Sequence, residues 1–281
     1  MTIQLDQAQS DAALKGFVIP ARPAVLQELE QLLLRETTTP KAVADRIARD
    51  VTLSGAVLKT VNSPLFGLRS PCSSVPHAVH MLGLRNVTSL VRALVLRRSM
   101  GSANAEVSLE RFWDSAETVA TLAAQVAGML PRVVREDAYS FGLFRDVGIP
   151  MLLLRWPEYK ETLKRAAGDP RPLPEVEEER HGTNHTVLGY LVARSWGLPE
   201  HLCEGIQRHH DPLVFVKGEK LSGDALTLIA INRLAEHLHD NVRRMRSEGD
   251  WERDGGVVLE YLGISQTEYR DLADHVAELI G

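Results

Sequence analysis

"SFGLFRDVGIPML", Ser140–Leu152, is an apolar stretch that carries one acid, Asp146, with a permanent cation, Arg145, directly before it. A helix that enters this stretch meets Gly148 and Pro150, which break or kink it. Upstream, Phe112, Ala116, Val119, Ala123, Val126 and Leu130 fall on one helical face, and Val87, Leu90, Val91, Leu94 and Val95 repeat that spacing. Downstream, "HTVLGYLVARSWG", "LPEHLCEGIQRHH" and the strongly apolar "ALTLIAINRLAEHL" continue in helical segments, separated from Asp146 by the loop signal "GDPRPLPE" (Gly168–Glu175).

The same pattern reaches both ends of the chain. Val25, Leu26, Leu29, Leu32 and Leu33 share a face; Thr39 is a fitting N-cap, with Pro40 at the first helical position of a segment carrying Val43 and Ile47. "LSGAVLKTVN" ends at Asn62-Ser63-Pro64, because a residue before proline avoids the α region. The last helix opens with Ser265 and Glu268 at capping-box spacing and carries Tyr269, Leu272, Ala273, Val276 and Ile280. No period-2 run and no Asn-Gly hairpin stands out. The chain reads as all-α, a multi-helix bundle in two helical lobes.

The 281 residues, 44% hydrophobic and 25% charged, suit a globular protein with a substantial core, and 5% aromatics argue against an all-β sandwich. A net charge of −5 disfavours nucleic acid as a partner. The basic clusters Arg97-Arg98 and Arg243-Arg244 with Arg246 read as solvated helix ends. Two distant cysteines, Cys72 and Cys203, form no CxxC pair and fit a reducing compartment. No signal peptide opens the sequence and no stretch looks long and apolar enough to cross a bilayer, so no membrane association is expected and the location reads as cytoplasmic. Trp113, Trp156 and Trp196 read as core, and Trp251 as an exposed contact residue.

A helical metal phosphohydrolase needs imidazoles and carboxylates converging from several helices on divalent ions. Asp146, His185, His209 and His210 are residues of that kind, each read here as lying inside a helical segment. Adjacent helical residues point about 100° apart, so His209 and His210 share a site only if their helix end faces it, and Pro212 places such an end nearby. Arg145 offers no lone pair, repels a divalent cation and is free to pair with Asp146.

"FVIPARPAVLQELEQLLLRETTTPKAVADRIARDVTLSGAVLKTVNSPLFGL", followed by "CSSVPHAVHMLGLRNV", "GLFRDVG", "HTVLGYLVARSWGLPEHL" and "QRHH", resembles an HDOD domain, a relative of the HD and HD-GYP phosphohydrolases. The likeness spans about Phe17 to Asp211. It implies a loose polar segment over residues 1–16, an HDOD domain over 17–215, and C-terminal helices over 216–281 that complete the same body. Asn62, Ser63 and Pro64 are its hallmark; they read as a helix stop, with Phe66 inserted in the core. The resemblance sets Ser115 where active relatives carry an early histidine, turns the His-Asp dyad into Arg145-Asp146, and puts Asn232 in place of a late aspartate. Asp146, His185, His209 and His210 are retained.

That set implies a degenerate site with no catalytic residue and no expected cofactor, although the four retained donors leave room for one divalent metal. The leading expectation is a non-catalytic bacterial signal-transduction module that binds a signalling protein, a second copy of itself as a homodimer, or a small nucleotide ligand. The alternative is a divergent metal-dependent phosphohydrolase or phosphodiesterase acting on a nucleotide or cyclic dinucleotide, with Arg145 gripping phosphate.

Overall fold

The structure is a computed structural model that describes residues 13–62, 68, 70–101, 109–131, 133–216, 220–243 and 249–280. Among these residues every regular element is a helix, as the apolar spacing predicts. The chain divides into two compact units: residues 21–102 form one, and residues 1–20 with 103–279 form the other.

The unit of residues 21–102 holds α1 (Ala24–Leu33), α2 (Pro40–Ala48), α3 (Val51–Val61) and α4 (Val75–Gly101). Its core is built from Leu26, Leu29, Val43, Ile47, Val87, Val91 and Val95, on faces that the spacing picks out, together with Leu53, Val57 and Val61 of α3, while Leu32, Leu33 and Leu94 are only partly buried. Thr39 caps α2 by accepting the Ala42 N–H at 3.2 Å, with Pro40 first in the helix. Asp50 caps α3 through the Leu53 N–H at 2.9 Å and accepts a 2.7 Å bond from Arg98.

Asn62 ends α3, but its side chain does more than stop a helix. Its amide donates to the Cys72 carbonyl at 2.9 Å and accepts the Cys72 N–H at 2.7 Å, pinning two chain points ten residues apart. Ser63, Pro64 and Phe66 lie outside the described residues, as do residues 1–12, Arg244 and Arg246. The expectation that no segment is long and apolar enough to cross a membrane needs correcting on length and composition alone: Val75–Met100 is 26 residues long and holds an 18-residue window with a mean hydropathy of 1.2. Half of its apolar window is buried, as in a core helix, and Gly83 interrupts it at φ 79°, ψ 168°. A side chain with a Cβ is strained at that positive φ.

The second unit holds α5 (Glu110–Met129), α6 (Arg135–Phe144), α7 (Gly148–Arg155), α8 (Tyr159–Ala166), α9 (Leu173–His181), α10 (His185–Ser195), α11 (Glu200–Arg208), α12 (Gly223–Arg243), α13 (Gly249–Leu262) and α14 (Gln266–Ile280). α5, α6 and α12 pack together at its centre, and Leu228, Ile229, Ile231, Leu234, Ala235 and Leu238 bury much of α12. The α14 capping box forms: Glu268 accepts the Ser265 N–H at 2.8 Å and its own N–H reaches the Ser265 hydroxyl. Trp113 and Trp196 are buried; Trp156 is only partly so, with Phe17 edge-on to it and His181 tilted against it. Trp251 is also half-buried rather than exposed, because His237 lies flat against it at 4.1 Å. Cys72 and Cys203 are both free and buried.

A candidate metal site at four helix ends

The chain leaves α6 at Phe144, turns through Arg145, Asp146 and Val147, and re-enters helix at Gly148. Asp146 therefore sits in a turn, not inside a helix. Pro150 is accommodated because it falls in the first turn of α7, where a missing N–H costs nothing. His185 is the first residue of α10, where Asn184 accepts the Val187 N–H at 3.0 Å as its N-cap. His209 is the C-cap of α11 and His210 follows it, just before Pro212. The reading of these donors as lying inside helical segments holds for His185 and is corrected for Asp146, His209 and His210, which lie in turns at helix ends, where Pro212 places the histidine pair. Helix ends suit convergence, since a side chain there is not bound to the 100° steps of a helical face.

Donor atoms of Asp146, His185, His209 and His210 lie within 4.8 Å of one another. The His209 Nε2 is 3.3 Å from Asp146 Oδ1, and the His185 Nε2 is 3.6 Å from the same oxygen. The ring centroids of His209 and His210 are 4.2 Å apart, and those of His185 and His210 are 5.1 Å apart. Each of two imidazoles has its far nitrogen occupied. His209 Nδ1 bonds the Ile206 carbonyl at 2.8 Å, and His185 Nδ1 bonds Glu177 Oε2 at 2.6 Å. A ring that donates from Nδ1 to an acceptor leaves the Nε2 lone pair to face the cluster. The His185 Nε2 is fully buried and has no hydrogen-bond partner.

Arg145 is buried and directed away from solvent. It bonds Glu236 and the Gly142 carbonyl, and its Nη2 lies 3.1 Å from Asp146 Oδ2. Asp146 thus divides its two oxygens: Oδ2 faces the guanidinium and Oδ1 faces the imidazoles. Burial alone raises the Asp146 pKa, but Arg145, then His209 and His185, outweigh it and hold the carboxyl well below its usual range. Burial lowers the pKa of His185, yet Glu177 and Asp146 reverse the effect and raise it. Glu236 goes the other way: burial raises its pKa and Arg145 offsets only part of that.

The residues fit a divalent ion. Asp146 and Glu236 share the Arg145 guanidinium and Glu177 meets His185, so these three carboxylates and one guanidinium carry three minus one, two negative charges, when all are ionised. The mixed imidazole and carboxylate donors suit zinc-class ions over magnesium or calcium.

Ser115 is half-buried on α5 and makes no hydrogen bond to the cluster among the described residues. Asn232, on α12, is buried with its Oδ1 unpartnered, packed close to Gly142. Sequence reasoning missed Glu177, Tyr159, Glu236 and Arg233. Arg233 donates to the His209 carbonyl at 2.9 Å and pairs with Asp254, so it clamps the turn that presents the histidine pair. Glu236 lies one helical turn beyond Asn232, a spacing that offers a signal for it. Nothing marks Glu177 among its acidic neighbours Glu175, Glu178 and Glu179.

The HDOD domain model matches residues 19–212. The chain belongs to the HDOD domain family. One curated relative, an uncharacterized protein of Treponema pallidum (strain Nichols), is 26% identical over 195 residues, which is 69% of this chain and 38% of that protein. The HDOD chain therefore spans well under half the length of that relative. Its fold is also similar to that of a "Putative phosphohydrolase" from Shewanella amazonensis SB2B, with a TM-score of 0.70, 22% identity, and coverage of 93% of this chain and 91% of the other. A "Putative signal transduction protein" from Marinobacter aquaeolei VT8 gives a TM-score of 0.71 at 19% identity, covering 98% of this chain and 64% of the other. At these identities the likeness shows the HDOD fold alone.

Proposed function

We propose that this HDOD chain is a non-catalytic signal-transduction module that holds one divalent ion on Asp146, His185, His209 and His210 and acts by binding a partner. The observation that supports this most is the divided carboxylate. A carboxylate bridging two ions uses both oxygens, and Arg145 takes one of them. Four protein donors also fill the coordination of a tetrahedral ion, which is how structural sites are closed; catalytic sites keep a position open for water. A bound ion would supply charge neutralisation and cross-linking of the α6–α7 turn, the start of α10 and the end of α11. The partner of such a module is a signalling protein, a second copy of the chain or a small nucleotide.

The rival reading, a divergent metal-dependent phosphohydrolase or phosphodiesterase acting on a nucleotide or cyclic dinucleotide, draws on the same four donors. It needs Arg145 free to grip phosphate, whereas the guanidinium is engaged with Glu236, Gly142 and Asp146 and its side chain is 7% exposed. Assay of zinc- and manganese-loaded protein against an aryl phosphodiester separates the two. No turnover is expected. Turnover that disappears in His185→Ala and survives in a surface variant would overturn the module reading.

A further inference from the structure

Behind the metal cluster, outside the four donors, a fully buried acid makes three hydrogen bonds. Glu177, in α9, is 0% exposed. Its Oε2 accepts the His185 backbone N–H at 2.9 Å and stands 2.6 Å from His185 Nδ1. Its Oε1 accepts the hydroxyl of Tyr159, which is 0% exposed and projects from α8. A buried carboxylate costs several kcal/mol of desolvation unless its lone pairs are used, and three donors from α8 and α10 use them here.

The arrangement has a direction. A carboxylate is an acceptor only, so the shared atom with His185 Nδ1 is a proton on the imidazole. With the backbone N–H of the same residue on the same oxygen, the ring is fixed at two points, and its Nε2 points at Asp146 Oδ1 without a partner of its own. A metal-bound imidazole whose far N–H meets a carboxylate is both oriented and made more basic.

Resting on the one-ion reading above, we propose that Tyr159 and Glu177 form a positioning relay that holds His185 as an Nδ1–H tautomer with Nε2 aimed at the ion, and thereby set the affinity of the site for a zinc-class metal. Neither residue touches the ion; both act through His185. The hydroxyl of Tyr159 keeps Glu177 from rotating away, since Oε1 is tethered on the side opposite the imidazole.

The test uses the full chain, stripped with chelator and titrated with zinc alone by calorimetry or competition against a chromophoric chelator. Glu177→Gln keeps the shape and removes the charge, and it is expected to weaken zinc binding by roughly 10–100-fold. Tyr159→Phe, which removes one hydroxyl and keeps the ring in its packed site, is expected to weaken it by a smaller factor and serves if Glu177→Gln does not fold. ¹⁵N spectra of the metal-free protein at alkaline pH read the tautomer directly. A proton on Nδ1 of His185 is expected. Wild-type protein that binds zinc while both variants bind it equally well overturns the relay, as does a proton found on Nε2. Wild-type protein that takes up no zinc instead overturns the one-ion reading on which the relay stands.

Discussion

Asp146 is the residue on which the chemistry turns, because its two oxygens have different neighbours. Oδ1 faces His209 and His185, and Oδ2 faces Arg145, which is itself held by Glu236. Arg145 keeps Asp146 as a partner when Glu236 is lost, so Glu236→Ala is expected to cost less than a buried pair broken outright, about 1–3 kcal/mol of stability for the bond left unmade, read by urea unfolding. A loss below about 1 kcal/mol, the range of a surface pair, would show that Arg145 does not need Glu236. In the other unit, Asn62→Ala removes both bonds to the Cys72 backbone. About 1–3 kcal/mol is expected for the buried groups left unmade, again from denaturant midpoints. That Asp146, His185, His209 and His210 would come together was legible from their order and surroundings along the chain, since residue type alone does not separate four donors from ten histidines and many acids. Glu177 was not, since burial, which only the fold decides, separates it from three acidic neighbours.

Helix ends are the elements that carry the site, and periodicity reads helix middles better than ends. The turn at Arg145–Val147 keeps backbone angles close to helical, with Arg145 at φ −51°, ψ −44° and Val147 at φ −59°, ψ −19°. Nothing in a hydrophobic pattern marks so slight a departure, although Gly148 and Pro150 do signal a break there. Gly148 has a further role. A Cβ built on it would lie 2.2 Å from the His185 carbonyl oxygen and 2.6 Å from the His185 Cα. Only glycine lets the start of α7 approach the start of α10 this closely, and that approach brings Asp146 to His185. Gly148→Ala is expected to cost about 1–3 kcal/mol through overpacking against backbone and to weaken zinc uptake with it; unchanged stability and unchanged zinc affinity would contradict this.

The caps of the smaller unit supply a pH dependence. The Arg98 bond, then the Leu53 N–H, hold the Asp50 carboxyl below its usual range. A carboxyl with a depressed pKa in the folded state adds stability above its unfolded pKa of about 4, and that stability is lost as pH falls through the folded value. Asp50→Asn keeps the cap and removes the charge. Its stability is expected to fall less steeply on the acid side than that of the wild type, in denaturant melts across that range. Equal slopes would remove Asp50 from the acid limb.

At the scale of the whole molecule, the all-α class was legible, and so were the apolar faces of α1, α2, α4 and α5, where buried residues recur at helical spacing, whereas α12 is buried on every side from Leu228 to Glu236. The division into residues 21–102 and 103–279 was not legible, because no change in composition marks it. Asp146, His185, His209 and His210 all belong to the larger unit. An ion that binds only the folded form raises stability by about 2.7 kcal/mol at 100 times its Kd. Zinc is therefore expected to raise the melting temperature and to slow hydrogen exchange around α6–α7, α10 and α11, and chelator to reverse both.

The most direct single measurement is metal stoichiometry with activity on the same sample: zinc or manganese per chain by elemental analysis after stripping and reloading, beside hydrolysis of a phosphodiester. One ion per chain and no hydrolysis are expected from an aspartate that gives one oxygen to Arg145. Two ions per chain with steady turnover would contradict it.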